Sequence, residues 1–433
     1  MNMKNYNILV IGGGPAAISL VKTIKGVRQV AVIRPEDHSM IYCAMPYAIE
    51  GLIPFEKTLK KDQLITDNQA ELIRDEVTAV NFSEKIVRGA SGDTYGYENL
   101  VIATGASPIL PPIEGSKLDG VYTFKTEKDL ARIMEVLEKG VEQAVVVGAG
   151  AIGIELAQAL KEKGLITHLV DIAPRILPNM TDPEMTEEAE AHLIEKGIKL
   201  HLDKGVTKLK GQKYLEEVVL EKGNSIHFYS ADECSLGVNH SQQKGILVFA
   251  VGMKPNVEIF NGTNLSMDRG GIVVNEKMET NIPGVYAAGD CAHFISGITK
   301  EGYPGKLATN AVPMGKVLAR ILLGEDTAYR GFYNGAATKA GDYYVGSTGF
   351  TESQAAERFD IITTYSEFTT AFPIMPFAKK VRMKLIVDAK TGCLIGGQVV
   401  SGLPVTDKID QITMAIQWKI PVEELVHLSY SSQ

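Results

Sequence analysis

Cysteine is scarce in this chain. Its 433 residues carry four, Cys43, Cys234, Cys291 and Cys393, and no two lie near one another. Such spacing excludes a disulfide framework and offers no metal-ligand set, so no metal is expected and a reducing, cytoplasmic setting is. Long apolar runs are missing too. None approaches the roughly 20 residues that cross a bilayer, and the chain enters a strand almost at once, so neither a membrane span nor a signal peptide is expected. Excess positive charge is also absent: 44 Lys and Arg stand against 52 Asp and Glu, a net charge of −8, which speaks against a nucleic-acid partner. What the chain does have is length and glycine. It is too long for one hydrophobic core, and the 42 glycines fall in patterns.

The first pattern opens the chain. Residues 6–11 (YNILVI) are a short apolar run, followed by Gly12, Gly13, Gly14, Pro15, Ala16 and Ala17 and then by helical periodicity through Ile18, Leu20, Val21 and Ile24. Strand, glycine turn and helix in that order form a dinucleotide fingerprint, with Ala17 at the third glycine position. Gly12 permits the tight turn, and Gly14 lets backbone approach a pyrophosphate at the helix N-terminus. The next strand, 29–33, should close on an acid that holds ribose hydroxyls. Arg34 stands there instead, with Glu36 two residues later, and Arg34 is left to meet a phosphate or the adenine face.

A second, complete fingerprint follows. The strand 144–147 runs into Gly148, Ala149, Gly150, Ala151, Ile152 and Gly153, and Glu155 continues into a helix. The following strand, 167–170, ends at Asp171, where a carboxylate accepts from both ribose hydroxyls and repels a 2′-phosphate. That favours NADH over NADPH, although Arg175, four residues on, is a possible phosphate partner. Two further segments fit a nucleotide-binding frame. Residues 100–108 (LVIATGASP) are a buried strand running into the turn Ala103, Thr104, Gly105. Residues 280–290 (TNIPGVYAAGD) are a turn, a strand at 285–287, and then Gly289 and Asp290 opening a helix. The polar stretch 229–245, with Cys234 and His240, receives no role. Residues 246–251 resume a strand and turn at Gly252.

From about residue 330 the composition changes. Short strands at 343–348, 361–365, 381–387 and 394–400 precede helical patterns at 406–418 and 422–428, which predicts an antiparallel sheet backed by helices. The whole is therefore expected to be α/β, with two Rossmann-like nucleotide-binding domains and a C-terminal α+β interface domain. The expected boundaries are 1–115 and 246–325 for the first nucleotide domain, 116–245 for the second, and 326–433 for the interface.

In this order, GGGPAA, the segment around Cys43 (SMIYCAMPY), ATGASP, GAGAIGIE and TNIPGVYAAGD resemble the FAD-dependent pyridine nucleotide-disulfide oxidoreductases over nearly the whole chain. Cys43 has no second thiol nearby, and this resembles the single-cysteine branch of coenzyme A-disulfide and persulfide reductases and NADH oxidases. The resemblance implies FAD at the first fingerprint, NADH at the second, and Cys43 against the isoalloxazine as the redox thiol, with Tyr47 and Tyr430 in the thiol pocket. Tyr430 is expected to come from the other subunit of a homodimer. The electron acceptor would be a disulfide or persulfide, with coenzyme A as a possible ligand. The alternatives are oxygen, as in an NADH oxidase, and a small redox protein. Three residues depart from the family. Pro15 stands where peroxidases and water-forming oxidases carry a histidine, Tyr42 where coenzyme A-disulfide reductases often carry an asparagine, and Met375 at one of their two pocket tyrosines. Cys291 is expected in the helix after Asp290, beside the cofactor, and not as a redox partner.

Overall fold

The computed structural model describes residues 3–228, 243–303, 308–425 and 427. Tyr430, Cys234 and His240 lie outside them. The chain forms two compact units. The first comprises Met1–Ile41, Glu56–Ser107 and Met253–Phe332, and the second Tyr42–Phe55, Pro108–Gly252 and Tyr333–Gln433. Residues 42–55, inside the expected segment 1–115, therefore group with the second unit. The physical reason is packing: helix Met45–Glu50 buries Met45, Ala48 and Ile49 and rests on helices Glu127–Glu138 and Ala151–Glu162 of that unit.

The first unit is built on a parallel sheet in the order Ala70–Arg74, Val30–Arg34, Lys4–Ile11, Thr94–Ile102, with Val285–Ala287 pairing in parallel onto the last of these. Lys4–Ile11 is buried from Ile8 onward, as a strand covered on both faces must be. Helix Pro15–Ile24 packs against helix Ala308–Leu322. Gly289 and Asp290 do not open a helix. Gly289 takes a left-handed φ of 81°, the chain turns, and strand Ala292–Ile295 follows. Cys291 is fully buried in that turn, and its thiol donates to the carbonyl of Ile102 at 3.4 Å. Burial raises its pKa, which suits a packing residue.

The second unit carries a five-stranded parallel sheet in the order Val121–Thr123, Gly245–Phe249, Gln143–Val147, Ile166–Val170, Lys199–His201. An antiparallel meander (Val206–Lys210, Glu217–Leu220, Ser225–His227) covers one face, closing a core around Val145, Val147, Val170, Leu209 and Val218. The C-terminal part is an antiparallel sheet in the order Ala336–Ala340, Tyr343–Gly349, Leu394–Ser401, Lys380–Asp388, Ile361–Thr369, with helix Thr406–Gln417 against it. Its first strand was not legible in the sequence. Lys384 joins the two parts of this unit. Its ammonium, 5% exposed, meets Asp182 at 3.0 Å and both Glu184 and Glu352 at 2.5 Å. It fills the point where those three carboxylates converge. Among the described residues no helix is long and apolar enough to cross a membrane.

Candidate functional site

The two glycine loops use the same backbone device. Gly12 has φ of 103° and Gly148 φ of 111°, a region only glycine enters cheaply. A Cβ on Gly12 would lie 2.2 Å from the carbonyl oxygen of Ala103, and one on Gly148 2.5 Å from that of Ala250, so both loops press against the neighbouring strand. Gly14 and Gly150 are the helix N-caps, and a Cβ on either would meet nothing within 4 Å. That open space, beside free helix N-termini, fits a pyrophosphate at both places. The third position differs. A Cβ on Gly153 would come within 1.8 Å of the Gly148 carbonyl oxygen, whereas Ala17, fully buried, is tolerated at the first loop. Pro15 occupies the first helical turn, where its missing N–H costs nothing, and Ala16 is buried behind it.

Around the first loop, Ala103 follows strand Thr94–Ile102, and the turn Thr104–Gly105 is tied to Asn256: Thr104 Oγ1 donates to the Asn256 carbonyl at 2.6 Å, and Asn256 N to the Gly105 carbonyl at 3.0 Å. Gly289 brings its backbone to Ala16, with a virtual Cβ 3.4 Å from that side chain, and Asp290 follows it. Arg34 is not poised as an open phosphate ligand. It is 2% exposed, donates to Ser39 Oγ at 2.5 Å, and pairs with Asp62.

Around the second loop, Asp171 accepts from Ala149 N at 2.5 Å and from Ala173 N at 2.8 Å. Each carboxylate oxygen keeps further acceptor capacity for a ribose hydroxyl. Arg175 spends its terminal nitrogens on carbonyls of its own loop, Thr181 and Pro178, both at 3.0 Å. Ile152 is exposed on the first helical turn, and Gly252 turns the chain after strand Gly245–Phe249 with φ of 108°.

Helix Ala151–Glu162 carries Glu155. Its carboxyl receives a 2.7 Å hydrogen bond from Thr338 of the C-terminal sheet, and burial raises its pKa. Gln158, one turn on, bonds Lys339 O and Gly341 N of the same hairpin, both at 2.8 Å. Cys43 sits in the 3₁₀ turn Tyr42–Ala44 that leads into helix Met45–Glu50. It is exposed, unlike Cys291, and unlike Cys393, whose thiol donates to Lys419 O at 3.3 Å. Tyr47 is half-exposed, yet its phenol pKa is raised by partial burial and by the nearby Glu155, Tyr344 and Cys43. Lys125, buried, places its ammonium 5.2 Å from the Tyr42 ring centre. The second unit thus gathers Cys43, Tyr47, Glu155, Thr338 and Tyr344. Sequence reasoning missed Thr338 and Tyr344, because no local pattern links residues nearly 200 positions from the fingerprint helix. Met375 lies in the exposed segment after strand Ile361–Thr369.

Comparison with known proteins bears on this arrangement. The family model for the pyridine nucleotide-disulphide oxidoreductases matches residues 6–315, and that for their dimerisation domain matches residues 336–430. An NADH oxidase of Methanocaldococcus jannaschii is 32% identical over 98% of this chain and 93% of its own. A CoA-dependent NAD(P)H sulfur oxidoreductase of Pyrococcus abyssi is 33% identical over 93% of this chain and 89% of its own. The solved structure of an NAD-dependent persulfide reductase from A. fulgidus superposes with a TM-score of 0.90 at 28% identity, covering 99% of this chain and 80% of that one.

Proposed function

This chain belongs to the pyridine nucleotide-disulphide oxidoreductase family, and from that premise we propose that it reduces a persulfide or disulfide, of coenzyme A type, with Cys43 as its redox thiol. It is an NAD(P)H-dependent flavoprotein oxidoreductase with FAD and NAD(P)H as cofactors. The observation that carries the sulfur reading is Cys43 itself: a single exposed cysteine beside Tyr47, while the other described cysteines are buried or bonded in a turn. A thiol that meets its substrate must be exposed, and it attacks as the thiolate. FAD, when bound, takes hydride from the nicotinamide and supplies two electrons to sulfur.

Cys43 does the rest. Its thiolate attacks a substrate disulfide, forms a mixed disulfide and releases one substrate thiolate. Two electrons then cleave the mixed disulfide, restoring the Cys43 thiolate, and a proton completes the second thiol. With a persulfide the transferred group is the outer sulfur, released as hydrosulfide. Tyr47 flanks the thiol as a neutral phenol. Asp171 holds the ribose of NADH, and the self-satisfied Arg175 leaves a 2′-phosphate without that partner, which supports NADH over NADPH. An exposed single thiol also fits a reducing, cytoplasmic compartment.

Homodimerisation is supported by the C-terminal sheet. Its edge strand Ile361–Thr369 exposes Ile362, Tyr365 and Phe368, and Phe372, Ile374 and Phe377 follow, also exposed. So much apolar surface marks an interface. A chain running as a monomer in size-exclusion chromatography would refute it.

The second reading is oxygen reduction, favoured by the M. jannaschii relative, with Cys43 cycling through a sulfenic acid. Anaerobic turnover of NADH with coenzyme A persulfide and with coenzyme A disulfide, beside oxygen uptake in air, separates the two. The proposal expects sulfur-dependent NADH oxidation, a mixed disulfide on Cys43 by mass spectrometry, and loss of at least 100-fold in kcat in Cys43→Ser. Full activity in Cys43→Ser would point instead to direct electron transfer to a redox protein.

A further inference from the structure

A dinucleotide-binding strand normally closes on a carboxylate that receives the ribose hydroxyls. At the first fingerprint the closing residue is Arg34. The structure shows what that exchange has done. Arg34 and Arg74 are register partners at the carboxyl ends of adjacent parallel strands, and both turn to one acid, Asp62: Arg34 Nη2 to Oδ1 and Arg74 Nη2 to Oδ2. Arg34 Nη1 also donates to Ser39 Oγ at 2.5 Å, and Ser39 Oγ donates to the carbonyl of Gly13 inside the glycine loop. A Cβ on Gly13 would lie 2.4 Å from Arg34 Cδ, so the arginine runs directly beneath the loop. Arg74 is fixed as well, donating to Glu36 O at 2.6 Å and Asp37 O at 2.7 Å.

We propose that Asp62 takes the place of the missing strand-end acid and holds the adenosine ribose of FAD, with Arg34 and Arg74 as its positioning residues; this rests on the reading of the first fingerprint as the FAD site. Three features support it. Asp62 is anchored through both oxygens at the strand ends beside the loop, yet its side chain stays 37% exposed. A carboxylate has about four acceptor sites, so two arginines leave capacity for two hydroxyls. The pair of guanidiniums fixes the carboxylate in one orientation and leaves the cluster one positive charge in excess, which suits a ligand with a pyrophosphate next door. Glu36 and Asp37, the other acids near this position, lie in an exposed turn and meet Arg74 through their backbone carbonyls.

The test compares FAD with an analogue lacking both hydroxyls of the adenosine ribose, each titrated into the flavin-stripped full-length chain by fluorescence. Hydrogen bonds to a charged group predict that the wild type prefers FAD by about tenfold or more. Asp62→Asn should bind both ligands alike, and so should Asp62→Glu, which keeps the charge for Arg34 but displaces the carboxylate. Glu36→Gln should keep the wild-type preference. Equal affinities in the wild type, an undiminished preference in the Asp62 variants, or its loss in Glu36→Gln would each overturn the inference. A wild-type chain that takes up neither ligand would instead refute the flavin reading beneath it.

Discussion

Removing the Lys384 ammonium should unhinge the C-terminal sheet from the segment after the second nucleotide site. Lys384 is 5% exposed and Asp182 4%, and neither reaches water for compensation. Asp182 is otherwise held by Gln398, which donates to its carboxylate at 2.5 Å and accepts from its backbone N–H at 2.7 Å, and by the backbone N–H of Glu352. Burial by itself would lower the Lys384 pKa, but hydrogen bonds to Glu184, Glu352 and Asp182 outweigh it and the net shift is upward from 10.5. For a raised cationic group, the stabilisation is complete below the unfolded value and disappears only as pH rises through the folded one, so it is fully present and flat across pH 6–8. Lys384→Met strands Asp182 as a buried charge. Losing one partner of a buried pair costs about 3–5 kcal/mol. Glu184 and Glu352 are 45% and 44% exposed and are screened by solvent, so the low end applies. That is about 3 kcal/mol, or roughly a hundredfold in the folding equilibrium. Denaturant unfolding followed by circular dichroism gives the single variant, and Lys384→Met with Asp182→Asn gives the pair. The second change should recover at least half the loss, because asparagine keeps the bonds to Gln398 and Glu352 without the charge. A loss below about 0.5 kcal/mol in the single variant, or simple additivity in the double, would refute the reasoning.

Two further outcomes follow from the second nucleotide-binding fold. His168 and His201 stack across neighbouring strands with Nδ1 and Nε2 2.8 Å apart, and burial, His201 and Lys199 lower the His168 pKa to about 4. Stability should therefore be level above pH 6.5 and decline as pH falls from there to about 4, by about 3 kcal/mol, and His168→Phe should flatten that decline in acid-unfolding curves; an identical acid midpoint would contradict it. Gly153→Val drives a side chain into the Gly148 carbonyl and should weaken NADH binding at least tenfold while the flavin content of the purified protein stays unchanged, and an unaltered NADH affinity by fluorescence quenching would count against the close-packing role.

Chain order and local pattern were enough for a great deal of this protein. Both glycine loops were legible because a turn with positive φ and a pyrophosphate against backbone leave no choice of residue at Gly12, Gly14, Gly148 and Gly150. The strands around them were legible because a doubly covered parallel sheet writes itself as unbroken apolar runs. The solitary Cys43 also stood out from the sequence, since the absence of a second thiol is a one-dimensional fact. Local pattern misled at Asp290, where a glycine-aspartate pair reads like a helix start but the left-handed Gly289 turns the chain into a strand.

Everything that depends on residues far apart in sequence was decided by folding. The pairing of Arg34 and Arg74 on Asp62, the Thr338 hydroxyl on Glu155, and the three carboxylates on Lys384 join positions separated by 12 to 202 residues. No periodicity announces them, because hydrogen bonds and ion pairs act through space and constrain only the final distance. The sequence named the chemistry available. Packing chose which carboxylate the two arginines share, which hydroxyl meets Glu155, and which lysine gathers the three carboxylates.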